Sequence, residues 1–236
     1  MNLTLFLPAF VAGILAAALI FRSALKKIQA RDFAAARIIF EILASDDPVF
    51  LGHSIHTLEL TRLFYQYLPF EIRVRLSLTS LLYTALLHDI GKTCVSKDIL
   101  YKPGKLSEKE LELVRQHVDF GNGLILQSKD LSFMSNGILY HHERVDGTGY
   151  KKIDGNKIPL DAKIIAVADT YSAIVLANSF KPSRSHSDAI GVLKICAGAQ
   201  LDKNLVEIFC SIPQDKVNAC ADKAAASIAR KNARKS

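Results

Sequence analysis

Thiol chemistry is the first thing the sequence lacks. Its four cysteines, Cys94, Cys196, Cys210 and Cys220, form no CxxC and no other tight spacing in 236 residues. Neither a zinc ribbon nor a dense disulfide framework is encoded, and the four read as free thiols of a reducing compartment such as the cytosol. Also missing is a basic face. The net charge of +7 is carried by the flanks: Arg22, Lys26, Lys27, Arg31 and Arg37 outweigh Asp32 and Glu41, and six basic residues outweigh two acidic ones over 214–236. Residues 45–213 hold 19 basic and 19 acidic side chains. A neutral globular part argues against a surface that tracks a phosphate backbone, so no nucleic-acid polymer is expected as partner. No internal repeat is evident, and low complexity is confined to the alanine- and lysine-rich tail. Apolar residues, by contrast, make up half the chain, enough to bury the core of one ordinary domain with accessories.

Charge is absent altogether from "LTLFLPAFVAGILAAALIF", residues 3–21. As a helix this run spans about 30 Å, the hydrocarbon thickness of a bilayer. Residues 1–21 therefore read as a transmembrane anchor. Cationic side chains follow the run and none precede it, the reverse of a cleaved signal peptide, which places the remainder on the cytoplasmic side of an inner membrane crossed once. Residues 22–47 read as a helical stalk, with Leu25, Ile28, Phe33, Ala36, Phe40 and Leu43 near one face. That face either pairs with a second copy, giving a homodimer, or packs on the domain.

"SDDP", residues 45–48, is a helix start, and from there the pattern is helical nearly throughout. Helices are expected near 48–68, 72–89, 107–127, 131–142, 161–178, 187–197, 203–211 and 214–232, giving an all-α bundle over 48–213 and a basic carboxyl-terminal helix or tail over 214–236. "SEKE", residues 107–110, is a capping box, and Gly91, Gly104 and Gly198 stand where helices should stop. "IIAVAD", residues 164–169, reads as a strand in isolation, but without partner strands it is assigned to a helix. The tail either meets anionic lipid or is a solvated end.

Five of the seven histidines, His53, His88, His117, His141 and His142, fall at or near ends or inward faces of these helices. A single histidine on an apolar face is ordinarily a hydrogen-bonded core residue. The adjacent pairs His88-Asp89 and His141-His142 are different. Neighbours on a helix diverge by about 100°, so both reach one ion only if it sits off the helix end. Each pair occupies a last turn, where the macrodipole favours a cation. The carboxylate of Asp89 has two oxygens and could bridge two ions. Nitrogen and oxygen donors without thiolate suit iron, manganese, nickel or zinc, and magnesium less.

Taken in order, "HS" at His53, "LHDIGK" at 87–92, "ILYKPGKLSEKELELVRQHVDFG" at 99–121, "HHERVDGTGY" at 141–150 and "IPLDAKIIAVADTY" at 158–171 resemble the HD-GYP subgroup of the HD phosphohydrolase superfamily. The resemblance covers residues 53 to about 209. It implies an HD-type helical bundle and hydrolysis of cyclic di-GMP to pGpG or GMP. It also implies two divalent transition-metal ions, iron or manganese being usual and zinc or nickel alternatives. His53, His88, Asp89 and Asp169 would hold one ion, and Asp89, His117, His141 and His142 the other. Asp89 and Lys92 would be catalytic, with Lys92 neutralising a substrate phosphate or helping the leaving oxygen depart. Lys92, Gly149 and Tyr150 would meet substrate, and Glu143 and Asp146 would either orient ligand imidazoles or cap their turn.

Departures fall mainly on the substrate side. Gly-Tyr-Pro is Gly149-Tyr150-Lys151, so a looser loop is expected. Asp-Ala-Leu is Ser172-Ala173-Ile174, an arginine expected shortly after is Asn178, and a glutamate that holds a third ion in some relatives is Val49. Two ions are expected, with a bidentate phosphate contact missing. The alternatives are hydrolysis of another nucleotide phosphoester, a metal-stabilised signalling module that binds a partner such as a diguanylate cyclase, and di-iron oxygen chemistry.

Overall fold

The structure is a computed structural model, and it describes residues 32–42, 44–176 and 183–232. The chain divides into two units, Met1–Leu43 and Ala44–Ser236. In the first, residues 32–42 are helical, with Arg37 Nε 3.0 Å from Glu41 Oε1 one turn on.

In the second unit, α1 (Pro48–Tyr67) begins as the sequence predicts. Asp47 accepts the Phe50 amide, and Pro48 stands where a first-turn N–H would have no partner. The helices α2 (Leu78–Leu87), α3 (Glu108–Arg115), α4 (His117–Ile125), α5 (Ser135–Tyr140), α6 (Leu160–Val175), α7 (His186–Cys196), α8 (Lys203–Cys210) and α9 (Gln214–Asn232) follow. "IIAVAD" lies in α6, with Ile164 to Ala168 at most 8 % exposed. A run buried all round is how a core helix comes to look like a strand.

Three predicted helices are divided, the expected 131–142 being a 3-10 turn, Lys129–Met134, followed by α5. The expected helix 72–89 is a short turn, Phe70–Arg73, and then α2, which Ser77 restarts by accepting the Ser80 amide. The expected helix 107–127 is α3 and α4, parted at Gln116 (φ −64°, ψ −10°). The Ser107–Glu110 capping box starts α3. Gly104 and Gly198 have positive φ (93° and 82°), whereas Gly91 does not; its role is room, as described below.

Phe64 of α1, Phe209 of α8 and Tyr171 of α6 anchor the main core, and the two phenylalanine rings meet edge to face at 5.2 Å. The expected basic tail is a docked helix. Val217, Cys220 and Ala224 of α9 are buried on one stripe, and Lys223 Nζ lies 3.3 Å from Glu59 Oε2 of α1.

The membrane assignment is corrected. Among the described residues no helix is long and apolar enough to cross a bilayer, and the 3–21 run on which an inner-membrane location rested lies outside them, as do residues 22–31 and Asn178. The stretch from 32 onward carries Asp32, Arg37 and Glu41, whose charges a lipid interior would not accept. A single-pass location is not assigned.

Candidate metal centre

The site is assembled from chain ends. His88 caps the carboxyl terminus of α2, and Asp89 opens a 3-10 turn, Ile90–Cys94. That turn lies directly against α4. A Cβ at Gly91 would stand 1.9 Å from the His117 carbonyl oxygen and 2.5 Å from the Gly121 nitrogen, so only a glycine lets the two backbones approach so closely. The break at Gln116 aims His117 inward, His141 caps α5, His53 projects from α1 and Asp169 from α6.

These elements bring all seven predicted ligand residues together. Asp89 Oδ1 faces His117 Nε2 at 3.2 Å and His141 Nε2 at 3.7 Å. Oδ2 faces His88 Nε2 at 3.3 Å, His53 Nε2 at 3.7 Å and Lys92 Nζ at 2.5 Å. Asp169 Oδ1 closes the second side, 2.8 Å from His53 Nε2 and 3.6 Å from His88 Nε2. Two groups of donor atoms, each within 4.8 Å, share Asp89: one with His117, His141 and His142, the other with His53 and His88.

The rings are oriented for ligation from behind. Nδ1 of His88, His117 and His141 lies 2.9, 2.7 and 2.7 Å from the carbonyl oxygens of Ala85, Val114 and Ile138. Donating that proton leaves the Nε2 lone pair pointing into the cluster. His88 Nε2 and Asp89 Oδ1 are buried without a well-formed hydrogen bond, a costly arrangement unless another group satisfies them. Lone-pair nitrogens and carboxylates converging in a buried space therefore fit divalent transition-metal ions.

Electrostatics agree. Burial opposes the charge on Asp89, yet the Lys92 ammonium and the His88 ring hold its carboxyl well below the usual range. Burial opposes Asp169 as well, and the close His53 ring together with the nearby His88 ring holds it down. Burial would depress His88, but Asp89 and Asp169 lift it to about 10. Burial drives His141 down to about 4, and burial followed by His141 drives His142 well down. Burial works against the Lys92 ammonium, and Asp89 and Asp169 outweigh it. In the ion-free chain the carboxylates thus keep a proton on His88, one that a bound ion would displace, while the His141–His142 side keeps neutral imidazoles available to ligate.

Tyr150, 38 % exposed, lies against His142 with centroids 4.7 Å apart and an interplanar angle of 36°. The Arg115 guanidinium carbon lies over the Tyr150 ring, 5.8 Å from its centroid. Gly149 makes room: its Cβ would lie 2.5 Å from Glu143 Cα. Glu143 does not reach a ligand imidazole. Its buried carboxylate accepts the amides of Lys151 (2.5 Å) and Ile153 (3.0 Å), and the Lys151 ammonium spans both oxygens of Asp119 at 2.5 and 2.7 Å. Asp146 likewise serves its turn, pairing with Arg144 and Thr148. The loop expected to be loose is fastened at both sides.

The sequence assigns His56 no role and shows Ser172 only as a departure from the family pattern. His56 Nδ1 and His53 Nδ1 each lie 3.0 Å from Ser172 Oγ. The local signal was the i, i+3 spacing of His53 with His56 and of Asp169 with Ser172, which puts each pair on one helix face.

The chain belongs to the HD domain family, whose model matches residues 37–205. It is 33 % identical over 176 residues to a cyclic di-GMP phosphodiesterase of Vibrio cholerae serotype O1, covering 69 % of this chain and 36 % of that protein. It is 33 % identical over 131 residues to the 3'3'-cGAMP-specific phosphodiesterase 1 of the same organism, covering 55 % and 30 %. The chain thus spans about a third of the length of these relatives. The fold is similar to that of a solved HDG"Y"P protein from Bdellovibrio bacteriovorus, with a TM-score of 0.57 at 17 % identity, covering 77 % of this chain and 62 % of the other.

Proposed function

We propose that this domain is a metal-dependent phosphodiesterase that hydrolyses a cyclic dinucleotide, with cyclic di-GMP as first candidate. The observation that supports it most is the division of Asp89, whose two oxygens face two different sets of imidazoles. His53, His88, Asp89 and Asp169 would hold one divalent ion, and Asp89, His117, His141 and His142 the other. A pair of such ions activates water and draws charge from a phosphoryl oxygen.

The protein's own groups supply the rest. Lys92, 29 % exposed at its side chain, offers an ammonium at the rim that can meet substrate phosphate. Tyr150, half-exposed with His142 against it and the Arg115 guanidinium over its ring, offers with that guanidinium a surface on which a base can stack, worth about 1–3 kcal/mol. Burial of the Asp89 cluster excludes bulk water and strengthens each charge interaction. Relatives of this chain include enzymes named for cyclic di-GMP and for 3'3'-cGAMP, so the second purine is the open element of specificity.

The test is turnover by the purified chain, loaded with Mn²⁺ or Fe²⁺, of cyclic di-GMP, 3'3'-cGAMP and an aryl phosphodiester. Hydrolysis of a cyclic dinucleotide, lost on chelation and in Asp89→Asn, is expected. Activity on the aryl ester alone would point to another phosphoester, and inactivity on all three with ions bound would point to a metal-stabilised interaction module.

A further inference from the structure

His53 is held differently from the other imidazoles that face Asp89. His88, His117 and His141 each rest Nδ1 on the carbonyl three residues earlier. His53 rests Nδ1 on a side chain, Ser172 Oγ, brought from α6. The same helix places Asp169 Oδ1 2.8 Å from His53 Nε2, so both ring nitrogens face α6. Ser172 has a second neighbour: His56 Nδ1 at the same 3.0 Å. Ser172 and His56 are both 0 % exposed, so water does not substitute for either bond.

Proton bookkeeping favours one arrangement, given the two-ion reading above, and it leaves only the buried His56 Nε2–H without a partner. A hydroxyl has one proton to donate and lone pairs to accept with. For His53 to present a bare Nε2, its proton must be on Nδ1, donated to Ser172 Oγ. The hydroxyl proton then goes to Nδ1 of His56, which carries its own proton on Nε2. His56 must be neutral for this, and its burial lowers its pKa.

We propose that Ser172 and His56 are positioning residues for His53: the directed chain His53 Nδ1–H to Ser172 Oγ–H to His56 Nδ1 fixes the tautomer and ring angle of one ligand, and through it one of the two ion positions. The other position, built on His117, His141 and His142, does not depend on it. Serine suits residue 172 because a hydroxyl both accepts and donates.

The experiment is Mn²⁺ titration of the full chain, following free ion by electron paramagnetic resonance, in wild type, Ser172→Ala and Ser172→Thr. Wild type is expected to bind two ions. Ser172→Ala should lose about 10–100-fold in affinity for one of them, the usual effect of removing a partner behind a ligand imidazole, with the other unchanged and Ser172→Thr restoring the first. Two wild-type affinities in Ser172→Ala overturn the proposal. A wild type that binds no ion overturns the two-ion reading on which it rests. A second measurement needs no variant of Ser172: in nitrogen-15 histidine spectra of the Zn²⁺-loaded chain, His56 protonated on Nε2 supports the proposal and His56 protonated on Nδ1 overturns it.

Discussion

Gly91→Ala is the smallest change that should take the centre apart while leaving every ligand in place. The added methyl would lie 1.9 Å from the His117 carbonyl oxygen, 2.8 Å from the His117 carbonyl carbon and 2.5 Å from the Gly121 nitrogen, against ordinary contact from 3.4 Å. All three obstacles are backbone, so no side-chain rotation relieves them. The turn carrying Asp89 must retreat from α4 by roughly 1.5 Å, an overpacking strain of about 1–3 kcal/mol. His117 Nε2 now stands 3.2 Å from Asp89 Oδ1. Two donors of one ion, each about 2.1 Å from it, can be no more than about 4.2 Å apart, and the retreat carries this pair to about 4.7 Å. The His117-side ion should therefore be lost. Mn²⁺ stoichiometry is expected to fall from two to one and cyclic dinucleotide turnover by about 100-fold or more. Tm should drop by about 2–12 °C. Gly123→Ala is the control, since a Cβ there meets nothing within 4 Å on the same helix. It should keep both ions and add about 0.5–1 kcal/mol of stability. A Gly91→Ala chain with two ions and wild-type turnover would refute the reasoning.

Asp89→Asn should abolish binding of both ions, since its oxygens face both donor sets; it also removes the carboxylate that Lys92 meets, a loss of about 3–5 kcal/mol in the ion-free chain by denaturant unfolding. Tyr150→Ala should raise KM for a cyclic dinucleotide about 5–100-fold with Tyr150→Phe near wild type, if a base stacks there; equal KM in all three would exclude the stack. Lys151→Pro, although it restores the Gly-Tyr-Pro signature, should destabilise the loop by about 1–3 kcal/mol, because the amide donated to Glu143 disappears; Lys151→Ala keeps that amide and should lose less than about 1 kcal/mol. The folded pKa of His56, about 3, lies below its unfolded value of 6.5, so the unfolded chain binds the extra proton. Its stability contribution is complete above pH 6.5 and is lost as pH falls toward 3, by roughly 5 kcal/mol at most. His56→Gln should flatten the stability profile over that window in urea unfolding, and an unchanged slope would refute the assignment.

The helical class and the pairs His88-Asp89 and His141-His142 are legible because helix periodicity and helix ends are local signals, whereas the joining of His53, His117 and Asp169 to them is legible only through the family resemblance. The breaks at Ser77 and Gln116 are not legible. Each depends on a single residue's cap or dihedral, and helix propensity runs straight through both. Gly91 was legible as punctuation only: its real constraint is the carbonyl of His117, 26 positions away, which no local pattern contains. In the sequence Ser172 stands only as a lost family residue. Its partners, His53 and His56, lie 119 and 116 positions away, and only the packing of α1 on α6 turns the substitution into a hydrogen-bonded unit.

Lys151 shows why a departure from a family signature is read by its bonds and not by its identity. A proline at that position fixes φ but has no N–H. Lysine gives up that rigidity and supplies two attachments: its amide to Glu143, and its ammonium to Asp119. The exposed ion pair is worth little, about 0–1 kcal/mol, whereas Glu143 is buried and accepts two amides as a charged group, each such bond contributing about 1.5–3 kcal/mol. The weight therefore rests on Glu143, which directly follows His141-His142, while Asp119, two residues beyond His117, adds a weaker attachment. The loop that presents Tyr150 is fastened to the segments that present three of the imidazoles. Disturbing it at Glu143 should lower kcat as well as raise KM, because substrate platform and ion-holding side chains move together.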